Sequence, residues 1–204
     1  MRVDADRWSP FHTAEIPSVG SVLSTINQDA AIWIADRTLH PRFGCKGRGA
    51  LEWLENQDLT VPDRPNSWRM KAETAILRLG DSEFLVESTA DVVNKAKSLP
   101  REASVYPVLR QDCAFELGGT QADNLLRQVC SLHFEALNLT AQPIVLTSMI
   151  GVNVIILPKQ DQGQPHFLIW ADNTYGFYLW NTLLGIGNEL GGSQIRFSRD
   201  SACQ

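Results

Sequence analysis

The stretch Arg42-Phe43-Gly44-Cys45-Lys46-Gly47-Arg48-Gly49 gathers three cations and three glycines within eight residues. Such a loop could hold an anion. Glycines let a backbone approach a ligand, a helix that follows offers free amide groups, and Arg42, Lys46 and Arg48 supply positive charge. The spacing G-x-x-G-x-G is neither the dinucleotide fingerprint nor a phosphate loop ending in Lys-Ser/Thr. Two readings stand at this point: Arg42, Lys46 and Arg48 bind an anionic ligand or a carboxylate of a partner, or the segment is a tight turn with a solvated basic rim.

Other reactive residues are scattered. Nucleophilic catalysis needs a serine or cysteine, a base and an orienting group together. Cys113 follows Asp112 at the edge of a strand, and Cys130 precedes His133 inside an apolar helical stretch; both read as buried, inert thiols. His12 has no evident partner, while His40 in a turn and His166 at a strand start read as surface or capped histidines. Glu83 and Glu87 alternate with Phe84 and Val86, which places them on one strand face, ordinarily the solvated one. Glu52 and Glu55 fall on the outer side of a short helix, and Glu116, beside Phe115, is the carboxylate expected to be partly buried. No catalytic residue is expected.

Composition restricts the partners. A net charge of −5 and a pI near 5.3 disfavour nucleic acid and anionic membranes, which attract basic surfaces, so protein or a small molecule is expected. Met149–Leu157 is interrupted by Gly151 and Asn153 and is far shorter than the roughly 20 residues that cross a bilayer. Met1–Pro10 carries Asp4, Asp6 and two arginines without an apolar core, unlike a secretory signal. Cysteines at 45, 113, 130 and 203 form no C-x-x-C pair and have no close histidine set. No metal site follows, and reduced thiols in the cytoplasm are the expectation.

The elements that must position these residues repeat. Phe43, Gly47, Ala50 and Leu54 recur 72 residues later as Phe115, Gly119, Ala122 and Leu126. In each copy an apolar extended run ends at glycine and a helical pattern follows with alanine and leucine on one face. The fold class is therefore read as α+β and pseudo-duplicated. An irregular arm, residues 1–30, precedes a single domain, 31–204, with lobes at about 31–100 and 101–195.

The first lobe reads as strands Ala31–Asp36 and Arg42–Lys46, helix Gly49–Asn56, a proline-rich loop Val61–Asn66, a hairpin Thr74–Leu79/Glu83–Glu87 turning at Gly80-Asp81-Ser82, and helix Thr89–Leu99. Ser88 and Asp91 have capping-box spacing. The second reads as strands Val105–Arg110 and Ala114–Leu117, a helix from Thr120 with Asp123 as capping partner, strands Ile144–Met149, Val152–Leu157 and His166–Ala171, and a helix from Thr174 to Leu190. Asp172, Asn173 or Thr174 can cap that last helix, and Gly191-Gly192 stops it. It carries two apolar stripes: Tyr175, Leu179, Leu183 and Ile186, and an offset set of Phe177, Trp180 and Leu184. The second stripe either lies between the lobes or docks on another subunit, with at least partial exposure expected in the isolated chain.

Several pieces in this order resemble the gamma subunit of heterotetrameric sarcosine oxidase: Arg42-Phe43-Gly44-Cys45-Lys46-Gly47 with Ala50 and Trp53-Leu54, Pro65-Asn66-Ser67-Trp68, Arg78-Leu79-Gly80 with Glu83-Phe84-Leu85, and Tyr106-Pro107-Val108 with Arg110-Gln111-Asp112. The resemblance runs over about residues 30–192. That subunit is related to the folate-binding part of glycine-cleavage aminomethyltransferases, whose pseudo-duplicated α+β fold agrees with the repeat. The resemblance implies an accessory, structural role in a flavoenzyme that demethylates an N-methyl amino acid, with FAD, FMN and NAD in larger flavoprotein partner subunits and tetrahydrofolate as the one-carbon acceptor. Aminomethyltransferases carry a Gly-Ile-x-Asp-Asp type segment before the hairpin and an asparagine after it; here Glu73-Thr74-Ala75-Ile76 and Glu87-Ser88 stand there. The additional C-terminal β-domain of those enzymes is also not expected. The alternative reading is a free-standing folate-binding one-carbon protein, aminomethyltransferase-like, that turns over alone.

Overall fold

The computed structural model describes residues 9–11, 21–22, 29–100 and 103–196. Most of the expected arm at 1–30, with His12, and Cys203 lie outside the described residues. In chain order the elements begin with β1 Ser21–Val22, β2 Ile32–Asp36, β3 Arg42–Lys46 and helix α1 Ala50–Glu55. The hairpin strands β4 Ser67–Lys71, β5 Thr74–Arg78 and β6 Glu83–Glu87 lead to α2 Ala90–Ser98. Then come β7 Tyr106–Val108, β8 Cys113–Gly118 and α3 Ala122–Val129. Strands β9 Val145–Met149, β10 Val152–Asp161 and β11 Gln164–Ala171 precede α4 Gly176–Glu189 and β12 Ser193–Arg196.

Two sheets result, and the fold is mixed α+β. The larger has the order β1-β12-β2-β8-β11-β10-β9 and the smaller β4-β5-β6-β3-β7. They belong to two compact units that interleave along the chain: residues 1–39, 111–137 and 146–204 form the first, 40–110 and 138–145 the second. This differs from lobes at about 31–100 and 101–195. The reason is strand pairing: β2 joins β8 through Ala35↔Glu116, while β7 joins β3 through Val108↔Gly44, so the strand that precedes each strand-turn-helix pairs with the other one.

In the second unit Phe43 and Cys45 of β3 and Phe84 and Val86 of β6 alternate onto the face covered by Ala50, Trp53 and Leu54 of α1 and Val93 and Ala96 of α2. Trp53 meets Phe43 edge to face at 6.3 Å and donates its indole N–H to the Pro100 carbonyl at 3.3 Å. The hairpin turn is tied by Arg78, whose guanidinium donates to the carbonyls of Asp81 at 3.0 Å and Pro62 at 3.1 Å. In the first unit Phe115 packs edge to face on Trp180 at 6.4 Å, and Phe11 stacks on Trp180 at 4.4 Å.

Helix starts depart from the capping expectations. Thr89, not Ser88, caps α2 by accepting from the Val92 N–H, because the Ser88 hydroxyl is engaged with Thr74 Oγ1 at 2.7 Å. For α3 no side chain caps; the N–H groups of Thr120 and Gln121 donate to the Ala30 and Ala31 carbonyls at 3.0 and 2.9 Å. Asp172 caps the short 3-10 turn Asn173–Tyr175 that leads into α4, accepting from Thr174 N–H at 2.9 Å, while α4 itself has no side-chain cap. At its end Gly192 N–H returns to the Gly187 carbonyl at 3.0 Å.

The two repeated glycines have matching backbones, Gly47 at φ +119° and Gly119 at φ +110°. Each carbonyl accepts from the N–H three residues on, Ala50 at 3.0 Å and Ala122 at 3.1 Å. A side chain is excluded at both. A Cβ on Gly47 would lie 2.0 Å from the Ser104 carbonyl oxygen, and one on Gly119 2.6 Å from those of Ala30 and Ala31.

Candidate functional site

The cation-rich loop is rearranged by its own strand. Arg42 and Lys46 occupy opposite ends of β3, about 13 Å apart at 3.3 Å per residue. Arg42 is buried and its Nη2 lies 3.2 Å from Glu87 Oε2 on β6, the residue directly opposite it. This corrects two expectations. Arg42 is a partner of a buried ion pair rather than a ligand contact, and Glu87 is not on a solvated face, because the pairing brings a charge of each sign to one buried spot.

Three amides of this loop and of the helix start are also committed. Gly47 N–H donates to the Ser82 carbonyl at 2.9 Å, Gly49 N–H to that of Ser104 at 3.4 Å, and Ala50 N–H to that of Gly47. Of the three cations, Lys46 and Arg48 are exposed, and neither forms an ion pair among the described residues. Tyr106, on the neighbouring strand, stands opposite Lys46. Sequence reasoning missed Tyr106, since strand register alone brings the two together.

The aromatic stripe of the last helix is divided. Gly176, Leu179, Trp180, Leu183, Leu184 and Gly187 are buried, one broad face at helical spacing. Trp180 and Leu184 therefore belong to the core of their own unit, contrary to the partial exposure expected. Phe177 is 51% exposed and is flanked by exposed Tyr175 and Tyr178. The two stripes merge because Trp180 adjoins Leu179 and Leu184 adjoins Leu183 around the helix, whereas Tyr175 and Phe177 fall outside that arc.

Glu116 is buried, as its position in β8 implied, and accepts from Arg37 Nη1 at 2.7 Å. His166, read as a surface or capped histidine, is buried beside it, with Nε2 3.8 Å from Glu116 Oε1. Trp33 packs edge to face on the imidazole at 5.0 Å. Burial, with the positive charges of Lys159 and Arg37, pushes the His166 pKa down to about 3, so the ring is neutral at pH 7 and its contact with Glu116 is not an ion pair. Neither ring nitrogen has a hydrogen-bond partner among the described residues. Position at the start of β11 hid this histidine: Asp161 to Gln164 before it read as a polar turn, and the register Gly118↔His166 carries it inward.

The thiols match their reading. Cys45, Cys113 and Cys130 are free and buried. Burial raises the Cys130 pKa to about 11, and Cys113 Sγ donates to the Ala171 carbonyl at 3.5 Å. Among the described residues no group of three or more His, Cys, Asp or Glu could hold a metal. No described helix is long and apolar enough to cross a membrane. In the first unit a cavity of about 510 Å³ is lined by Asp112, Thr147, Ser148, Asn153, Trp170 and Asp172, among others. Asp172 is held below the usual carboxylate range by hydrogen bonds from the Thr174 hydroxyl and amide.

The segment that stands where aminomethyltransferases carry their acid pair is apolar or engaged within the fold. Ala75 and Ile76 are buried apolar residues of β5, Thr74 is closed onto Ser88, and Glu87 is neutralised by Arg42.

No protein-family model matches the chain, and no curated protein matches it. Solved structures share its fold. A chain of heterotetrameric sarcosine oxidase from Corynebacterium sp. U-96, in complex with pyrrole 2-carboxylate, is similar with a TM-score of 0.64 at 15% identity, over 82% of this chain and 89% of that one. Glycine cleavage system aminomethyltransferase T from Bartonella henselae is similar with a TM-score of 0.55 at 14% identity, over 83% of this chain and 48% of that one. These likenesses agree with the resemblance drawn from the residues.

Proposed function

We propose that this chain is an accessory, gamma-type subunit of a sarcosine oxidase-like flavoenzyme that demethylates an N-methyl amino acid, with a structural rather than redox role. The observation that carries this is the extent of the likeness. It takes in 82% of this chain and 89% of the oxidase chain with a TM-score of 0.64, against 48% of the aminomethyltransferase and 0.55, which favours the oxidase chain as the counterpart. The internal chemistry is consistent: Arg42, Glu87, Arg37, Glu116 and the three thiols are engaged or buried within the fold. FAD, FMN and NAD are assigned to larger partner subunits, and a cytoplasmic location accords with free thiols. We also infer that the two units stem from one duplicated strand-turn-helix, supported by the matching glycine dihedrals and by the parallel orders β4-β5-β6-β3 and β9-β10-β11-β8.

Gentle purification of the tagged chain from its own cells tests the reading. Co-elution of two larger flavin-containing polypeptides, with oxidation of an N-methyl amino acid in that fraction, is the expected result, and the separated chain should be colourless. Stoichiometric flavin on the separated chain, or tetrahydrofolate-dependent turnover by it alone, would overturn it. Trp180→Ala is a poor interface probe, since as a core substitution it should cost about 3–5 kcal/mol of folding stability.

A further inference from the structure

We propose that Lys46, Arg48 and Tyr106 form a docking surface for an acidic segment of a partner protein. Lys46 and Tyr106 are paired across β3 and β7. A Cβ on Gly47 would stand 3.1 Å from Tyr106 Cδ2, so the phenol lies against the turn that carries both cations. Tyr106 is nonetheless 57% exposed, and Leu109, just beyond β7, is more exposed still. An aromatic body beside two cations is the composition of an interface anchor rather than of a plain solvated rim.

The charges point to the occupant. Arg37, Arg42, Arg69, Arg110 and Arg127 are each paired with a carboxylate, whereas Lys46 and Arg48 have none among the described residues. Glu83 lies opposite Lys46, but its carboxylate is held by Arg110 at 2.7 Å. On a chain of net charge −5 this is a local patch of the opposite sign, complementary to acidic side chains. The mode of contact is also constrained. β7 is an edge strand of three residues, and Pro107 at its centre has no N–H to donate, so an added strand is disfavoured and side chains must do the reading.

The inference rests on the subunit reading for the identity of the partner, and the test separates the two. Fluorescence anisotropy of a labelled decaglutamate peptide with the full chain is measured at about 20 and about 300 mM NaCl. Expected are salt-sensitive binding by the wild type, at least tenfold weaker binding by Lys46→Glu/Arg48→Glu, weaker binding by Tyr106→Ser, and unchanged binding by Lys95→Glu/Lys97→Glu, which makes the same charge change elsewhere. Equal binding by the wild type and Lys46→Glu/Arg48→Glu, equal loss in the Lys95→Glu/Lys97→Glu control, or retention on phosphatidylserine vesicles with none on the peptide would overturn the surface. In the co-purification, flavoprotein subunits retained equally by Lys46→Glu/Arg48→Glu would overturn it and leave the subunit reading intact. Peptide binding without any co-purifying flavoprotein would support the surface and remove the subunit reading.

Discussion

Arg37, just after β2 of the larger sheet, and Arg110, just after β7 of the smaller, stand at the same spacing from a cross-strand pair, and each finds its carboxylate differently. Ala35 pairs with Glu116 and Val108 with Gly44, and each arginine follows two residues later. In the first unit Glu116 itself answers Arg37 at 2.7 Å. In the second the corresponding residue is Gly44, Arg110 lies over it, and Glu83 of β6 answers from the place that His166 takes in β11. A largely buried guanidinium thus keeps an acceptor while the strand that supplies it changes, because leaving the charge unpaired costs more than moving its partner. The two sites also differ in what lies on glycine: the rigid indole of Trp33 over Gly118, the flexible chain of Arg110 over Gly44.

That difference can be broken first at the glycines. A Cβ on Gly118 would stand 2.2 Å from Trp33 Cζ2, whereas one on Gly44 would meet Arg110 Nε at 2.9 Å and Val108 Cβ at 3.0 Å. Gly118→Ala should therefore cost about 3 kcal/mol or more, and Gly44→Ala about 1–2 kcal/mol, by urea unfolding. Equal losses would mean the indole yields as readily as the guanidinium.

Acid should distinguish the units next. His166 titrates near pH 3 when folded and near 6.5 when unfolded, so the unfolded chain binds the proton first. Stability from this residue is complete above pH 6.5 and is lost as pH falls toward 3, to a total of up to a few kcal/mol. Urea midpoints of wild type and His166→Gln between pH 7.5 and pH 4, both approximate limits, should converge as the wild type loses this contribution. Parallel curves would show that the imidazole is hydrated in the folded protein.

The carboxylates rank below that. Glu116 is 10% exposed beside Arg37, and Glu83 is 43% exposed beside Arg110. Glu116→Ala should cost about 1–3 kcal/mol and Glu83→Ala about 0–1 kcal/mol. A reversed order would make Arg110, not Arg37, the more dependent cation. The smallest effect is expected at the last helix, where Phe177→Ala should change the stability of the isolated chain by about 0.5 kcal/mol or less, since half the ring is already in water. A loss near that of a core residue would place the ring in the fold.

Sequence alone determined the local elements. Strands β3 and β6 coincide with their expected spans, Gly47 and Gly119 stand at turns as expected, and the inert thiols and the burial of Glu116 were legible from apolar surroundings. Those features depend on period, on turn chemistry and on neighbours within a few residues. Register decided the rest. Whether Arg42 faces solvent or Glu87, whether His166 lies outside or beside Glu116, and whether Lys46 meets Tyr106 all turn on which strand stands opposite, and no local pattern encodes a partner 45 to 60 residues away. The short strands β4 and β12 were missed for the same reason: with few apolar residues of their own, they are strands only because β5 and β2 offer them hydrogen bonds.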